Sequence, residues 1–389
     1  MKKRIFTVFI GFLLSLWIFF TLDTSSLAGN RQAAKVAKTA TDQDVTIVMV
    51  GDILLHTPVE ETAMAEDGTY NFDFIFEKLK KDISSADIAI VNQEVIIGGQ
   101  ELGVSGYPSF NAPYQIGDAL VEAGFDVVCH GTNHELDKGK WGLLNCCKYW
   151  REQHPEITVV GINETEDAYN NIDIVEKKGF RIAILNYTYG TNGIPQPKGM
   201  PHAVDMLDKD KVERDLKFAE ENADFTIVCP HWGTEYNLGV DKSQKYWTEI
   251  FRKNGADLVL GTHSHVIEPI EMLEDVGIGI TNNHGDGDML VYYSLGNFVN
   301  WTSGKGKGVA NRMVGGMADV TIGRNAKGEV VIKSHGVTPV VTHLQKGHEG
   351  VIVYPLTEYT DELGKTNEIV KQDPGFSAQY CRELANKVW

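Results

Sequence analysis

Cysteine is scarce in this chain: there are five in 389 residues. An odd count cannot pair completely within one chain, so no disulfide framework is expected. Cys129 and Cys229 sit in apolar runs and read as core thiols, and Cys146 and Cys147 adjoin in a helix-like stretch. No cysteine has zinc-finger spacing, and none stands near residue 28 to carry a lipid anchor. Basic side chains are also in deficit. The 36 Lys and Arg face 53 Asp and Glu, for a formal charge of -17. Such a surface repels nucleic acid, so no DNA or RNA partner is expected. It also repels a polyanion unless metal ions or a local basic patch reverse the field. The chain lacks a G-x-S-x-G elbow, a Walker-type glycine loop and a dinucleotide fingerprint. It has no internal repeat.

What is present is an ordinary folded body with an export-type leader. Hydrophobic residues make up 42% and aromatics 10%. The length suits a large α/β domain with an appendage. Met-Lys-Lys-Arg precedes 18 uncharged residues, Ile5 to Leu22. A basic end before an apolar run reads as an export signal, basic end inside. Its length fits a spanning anchor, while Ser26-Leu27-Ala28 fits a cleavage site that would release the chain. Either alternative puts the body outside the cytoplasm. Residues 1–28 are thus signal or anchor, and 29–43 a small, polar linker. Residues 44–302 form the main domain, and 303–389 complete or flank it.

From Asp44 onward strand-like and helix-like stretches alternate. Strands are expected near 45–50, 87–92, 126–130, 157–161, 181–186, 224–229, 257–261 and 289–294. Helices are expected near 72–85, 114–124, 139–153, 208–222 and 241–254. Val212, Leu216 and Ala219 recur at helical spacing, and Asp208 can cap that helix. Further strand patterns include VIEPIEML, MADVTIG and GEVVIKSHG, and the tail beyond 356 reads as helical. This alternation predicts a layered, mostly parallel α/β architecture.

Five polar segments end five apolar runs: VMVGD, IAIVNQE, VVCHGTNHELD, IVCPHWGTEY and LVLGTHSHVIEP. In an open α/β sheet the carboxyl edge of the strands is where sites are built. Carboxylates, an amide and neutral imidazoles at one edge suit divalent cations. The candidate metal ligands are Asp52, Glu94, Asn133, His231, His263 and His265. His134 is the candidate general acid or orienter, with Asp137 as its carboxylate partner. Each segment alone has a plainer reading. Gly51-Asp52 is an ordinary turn, Asn133 an Asx-turn, and a lone His231 a structural histidine. His263 and His265 are expected to face one side as alternate residues of an extended segment. His56, His130, Glu235, Glu268 and Asn297 form a second tier. The turn His284-Gly285-Asp286-Gly287-Asp288 offers carboxylates for calcium without EF-hand spacing.

The series VGDILLH, NQE, GTNHELDKG, HWGTEYN, GTHSHVIEPIE and YSLGNF resembles the CapA-type capsule synthesis proteins, a family linked to poly-γ-glutamate capsule. The resemblance spans roughly residues 44–302. It implies a calcineurin-like metallophosphoesterase fold, a layered sandwich of mixed sheets flanked by helices; the residues beyond 302, by their own pattern, are expected to form a β-rich and helical extension. It also implies a membrane-anchored role in making, exporting or anchoring poly-γ-glutamate, with a capsule synthase complex as partner. In the phosphoesterase pattern Asp52 and His265 would serve one metal, and Asn133, His231 and His263 the other. Glu94 would bridge, and His134 would stay unligated. Two positions depart from that pattern. Leu54 stands where Asp-x-His has its histidine, leaving the first metal a ligand short unless His56 reaches in. Glu94 replaces an aspartate.

Three functional readings follow. The first is a CapA-type capsule protein at the outer face of the membrane. The second is an envelope metallophosphoesterase unconnected with capsule. The third is a non-catalytic scaffold that keeps its metal for structure. One or two ions of Mn, Fe or Zn suit the N/O ligand set. If the chain catalyses hydrolysis, a metal-activated water attacks a phosphoryl or acyl centre and His134 protonates the leaving group.

Overall fold

The core is built by alternation. In β1 (Val45–Ile53) the side chains of Val45, Ile47 and Met49 point one way, and those of Val48 and Val50 the other. Successive residues of a strand face opposite sides, so a strand buried on both faces reads as an unbroken apolar run. The structure is a computed structural model and describes residues 43–274, 288–348 and 350–389. The expected leader and almost all of the linker lie outside these residues, as does most of the 284–288 turn. Among the described residues no helix is long and apolar enough to cross a membrane.

Two sheets form. The first contains β1, β2 (Ile88–Asn92), β3 (Val127–Cys129) and β4 (Thr158–Val160), all parallel. The second contains β5 (Ile174–Lys177), β6 (Phe180–Thr188), β7 (Phe225–His231), β8 (Leu258–Leu260), β9 (Ile270–Leu273) and β10 (Met289–Tyr292). Its order is β5-β6-β7-β8-β10-β9, with antiparallel edges around a parallel centre. Four later strands return to the first sheet: β11 (Asn297–Val299), β12 (Val314–Arg324), β13 (Val330–Leu344) and β14 (Val351–Pro355). β12 pairs antiparallel with β1, and β13 and β14 follow outward. The segment after residue 302 therefore contributes three strands to the first sheet.

The sheets pack face to face. Ile47, Met49 and Ile90 of the first sheet meet Ile182, Ile184, Ile227 and Leu260 of the second in one cluster. The outer face of the first sheet is covered by α1 (Thr57–Ala63), α3 (Gln115–Ala123), α4 (Gly139–Gln153) and α9 (Ala378–Val388). The outer face of the second is covered by α6 (Lys209–Asn222) and α7 (Lys242–Lys253). The result is the expected layered α/β sandwich, with mixed sheets flanked by helices. Asp208 caps α6 by accepting from the Lys211 N–H at 3.0 Å, and Val212, Leu216 and Ala219 are buried on its inner face.

Some elements differ from the expectation. The stretch 72–85 is not one helix but a 3-10 turn, Asp73–Ile75, followed by α2, Lys80–Ser84. Phe72, Ile75, Phe76, Leu79 and Ile83 are all buried there, and this broken path lets all five insert. The tail is helical only in pieces, α8 (Asp361–Thr366), a 3-10 turn and α9. All five cysteines are free thiols.

Candidate metal centre

The carboxyl ends of β1, β2 and β3 from one sheet meet those of β7 and β8 from the other. Two close backbone approaches make this convergence possible. A Cβ on Gly51 would stand 1.8 Å from the Gly296 carbonyl oxygen, and one on Gly261 would stand 2.1 Å from that of Tyr293. Only glycine fits at either place. The β1–β2 register shifts between Val50 and Asp52, and such an irregularity re-aims a side chain. Asp52 thereby turns into the space between the sheets.

Asp52, Glu94, Asn133, His231, His263 and His265 are all buried. The Glu94 Oε1 lies 3.8 Å from His231 Nε2 and 3.7 Å from His265 Nε2. The Asn133 Oδ1 is 2.9 Å from His231 Nε2, and the Asp52 Oδ2 is 3.3 Å from His265 Nδ1. Ligand-type atoms cluster within 4.8 Å in two triads, Asp52–Glu94–His265 and Glu94–His231–His263. Glu94 belongs to both.

His263 and His265 do not arrive as alternate residues of an extended strand. Both have positive φ, 92° and 58°. This is uncommon for a residue with a side chain and costs on the order of 1–3 kcal/mol each. The turn it creates keeps the two ring centroids 5.7 Å apart and aims the His263 backbone N–H at the Asp52 carboxylate, 3.3 Å away.

The electrostatics follow from burial. Burial, then the neighbouring imidazoles, hold His231 and His263 well below the usual histidine range, so both are neutral and free to ligate. Burial also pushes Glu94 well above the usual carboxylate range, against the pull of His265. Burial opposes charge on His265, yet Glu94 and Asp52 beside it carry its imidazole up to about 9. A field that draws a proton to a point between two carboxylates draws a divalent cation to the same point.

Both Glu94 oxygens and the His263 Nδ1 are buried without a hydrogen-bond partner. Leaving a buried carboxylate bare is costly. A bridging cation would satisfy these atoms together, and the donor set of two carboxylates, an amide and three imidazoles suits Mn, Fe or Zn. The residues present fit such a group.

The profile of the bacterial capsule synthesis protein family PGA_cap matches residues 46–302, a span that runs from β1 through β11. The chain belongs to this capsule synthesis family. It is 27% identical over 286 residues to the capsule biosynthesis protein CapA of Bacillus anthracis, covering 70% of this chain and 65% of that one. It is 26% identical over 285 residues to the PGA biosynthesis protein CapA of Bacillus subtilis strain 168, covering 71% and 69%. The chain thus spans about two thirds of these relatives' lengths. Among solved structures, the NAD nucleotidase of Haemophilus influenzae overlays with a TM-score of 0.46 at 13% identity, covering 77% of this chain and 58% of that one. A 5'-nucleotidase precursor from Thermus thermophilus gives 0.45 at 13%, covering 89% and 58%. These structural likenesses are loose.

Beside the triads of this family member lies His134. Its Nδ1 is 2.7 Å from Asp137 Oδ2. A carboxylate only accepts, so Nδ1 carries the proton and Nε2 is the free nitrogen. The same Asp137 oxygen accepts the Phe110 N–H at 2.8 Å, and the Phe110 ring meets the imidazole edge-on. Asp137 and Phe110 together fix the ring's plane.

The second-tier residues separate. Asn297 is part of the site. Its Oδ1 is 3.0 Å from His265 Nδ1, and its Nδ2 donates to the carbonyls of His265 and Arg312. It therefore orients a candidate ligand, as outer partners of metal-binding histidines do. His56 and Glu235 line a pocket on the open side of the cluster, with His134 and His265. His56 does not join either triad. Burial lowers its imidazole to about 4. Glu268 stands apart, its carboxylate accepting from the Gln244 side chain.

His130, Glu135 and Cys146 form a third cluster of ligand-type atoms. The His130 Nε2 accepts from the Trp150 indole at 2.9 Å, and Nδ1 lies 2.6 Å from Glu135. The Trp150 indole occupies Nε2, while Nδ1 and both Glu135 oxygens are buried without a hydrogen bond, and the cluster ties the Asn133–His134 loop to α4.

Several further residues belong to the site. Asn92 donates to Asp52 Oδ1 at 2.8 Å. Thr262 Oγ1 lies 3.0 Å from His231 Nδ1. The Tyr189 ring lies against His263 with centroids 4.4 Å apart, and Asn192 Oδ1 accepts from Asn133 Nδ2 at 3.2 Å. Asn92 stands within the NQE motif, but nothing in the motif marks it as the partner of Asp52. Tyr189 and Asn192 follow β6, whose end carries no histidine or carboxylate to mark it.

Proposed function

We propose that this chain is a divalent-metal-dependent hydrolase acting in poly-γ-glutamate capsule synthesis at the outer face of the cell membrane. The single observation that carries the hydrolase reading is Glu94, buried with both oxygens bare and common to two triads. Family membership and the two CapA relatives support the capsule role. The basic end and apolar run of residues 1–22 support export and anchoring.

Asp52 and His265 would hold one ion, Asn133, His231 and His263 a second, and Glu94 both. Such ions supply Lewis-acid polarisation of a phosphoryl or acyl oxygen and acidify water. The chain's own residues do the rest. Asp137 holds His134 in the tautomer with Nδ1 protonated, and a proton at Nε2 is the one to deliver to a leaving group. Asn297 and Asn92 hold His265 and Asp52 in place. Tyr189 and Phe110 form apolar walls against the imidazoles of His263 and His134.

The test is turnover of a chromogenic phosphoester and of γ-linked oligoglutamate by the Mn-loaded full chain, wild type beside His134→Ala. Loss of about 100-fold or more in rate is expected of the variant, with metal content unchanged. Equal turnover by both proteins contradicts the assignment of His134. No turnover of either substrate contradicts the hydrolase reading and favours a metal-bearing scaffold.

A further inference from the structure

Arg312 sits on the open side of the metal-ligand cluster, in a pocket it shares with His134, His265, Asn297 and Tyr236. Among the described residues it is the one Lys or Arg side chain lining that pocket. Its guanidinium carbon lies 3.6 Å from the centroid of the Tyr236 ring, and its Nη1 donates to Thr302 Oγ1 at 2.7 Å. These contacts fix the plane of the guanidinium without neutralising it. Its Nε is buried and has no hydrogen-bond partner. Among the described residues no carboxylate forms an ion pair with it, although the chain carries 53 acidic side chains against 36 basic ones. Glu235 also lines the pocket, but it is exposed.

A planar cation held rigid, short of a charge partner and with an orphan donor is an incomplete fork. Such a fork completes itself with two oxygens of one oxyanion. We infer that Arg312 receives an oxyanion of the bound molecule, phosphate or carboxylate, and orients that molecule against the metal-ligand cluster. This rests on the hydrolase reading for the statement that the pocket takes a substrate. It also explains how a chain of charge -17 admits an anionic substrate: the field is reversed locally by one arginine beside the cation ligands. Arg312 is further tied to the cluster through its backbone, since its carbonyl accepts from Asn297 Nδ2 at 3.0 Å.

The test is calorimetric titration of the full chain, metal-free and Mn-loaded, with inorganic phosphate and separately with γ-glutamyl-glutamate. Wild type, Arg312→Gln and Arg312→Lys are compared, with metal content and melting temperature measured on each. At least one probe is expected to bind wild type, and Arg312→Gln to bind it about tenfold more weakly or worse at unchanged metal content. Arg312→Lys, which keeps the charge but not the fork, is expected to fall between them. Binding of phosphate alone assigns the subsite to a phosphoryl group, and binding of the dipeptide alone to a carboxylate. If Arg312→Gln melts early, Arg312→Lys supplies the comparison. Equal binding by wild type and a normally melting variant overturns the inference, as does failure of both probes to bind wild type. A wild type that takes up no metal, yet binds a probe through Arg312, contradicts the metal reading and leaves this one standing.

Discussion

At the scale of residues, the site depends on atoms that have given up water without gaining a partner. Glu94 has both oxygens buried and bare, as has Glu135, but among the described residues Glu94 alone belongs to two triads. Equally decisive are residues that contribute no chemistry. Gly51 precedes Asp52, and a Cβ there would overlap the Gly296 carbonyl. That carbonyl also accepts the Asp52 N–H at 3.0 Å, so the clash cannot be relieved by moving a flexible side chain. Gly51→Ala is expected to destabilise the chain by about 3 kcal/mol or more. Urea denaturation checks this, and a loss below about 1 kcal/mol would mean that the β1–β11 contact is looser than described.

At the scale of elements, the strands were the easiest part to read. β1, β2, β7 and β8 are apolar on both faces because each is sandwiched between the other sheet and a helical layer. Such runs are conspicuous, and the polar residues ending them mark the carboxyl edge. Asp52, Glu94, Asn133 and His231 were legible for that reason. His263 and His265 were legible as a pair but not in their conformation, since positive φ at a histidine leaves no trace in composition. The 72–85 segment misled because Phe72, Ile75, Phe76, Leu79 and Ile83 keep helical spacing while tertiary packing breaks the helix. Arg312 and Tyr189 were not legible. Their roles come from what folds against them, far away in the chain.

The α1 helix carries a pH signature. Glu60 is buried there, and burial pushes its carboxyl from 4.5 up to about 8, with Lys138 opposing. A raised folded-state value favours the protonated form. Its contribution is therefore fully present below pH 4.5 and is lost as pH rises through about 8. Glu60→Gln is neutral at every pH. It is expected to melt above wild type at pH 8 and close to it at pH 4.5. Melting curves displaced equally at both pH values would contradict this.

At the scale of the whole molecule, the two sheets meet through an apolar cluster along their faces and through the candidate ligands at one edge. A cation bound there would tie β1, β2 and β3 to β7 and β8. A cation that prefers the assembled site to the unfolded chain would stabilise the fold by mass action. Mn at a free concentration about 100-fold above its dissociation constant is expected to add about 2.7 kcal/mol and to raise the melting temperature. A chelator is expected to reverse the shift, whereas a melting temperature indifferent to both would place no cation between the sheets.

The most direct measurement is elemental analysis of the full chain purified under metal-replete conditions, wild type beside Glu94→Gln. Because Glu94 belongs to both triads, the expectation is about two divalent ions per wild-type chain, the number a bridging carboxylate serves, and loss of both in the variant. Absence of metal from wild type, or equal content in the two proteins, would contradict it.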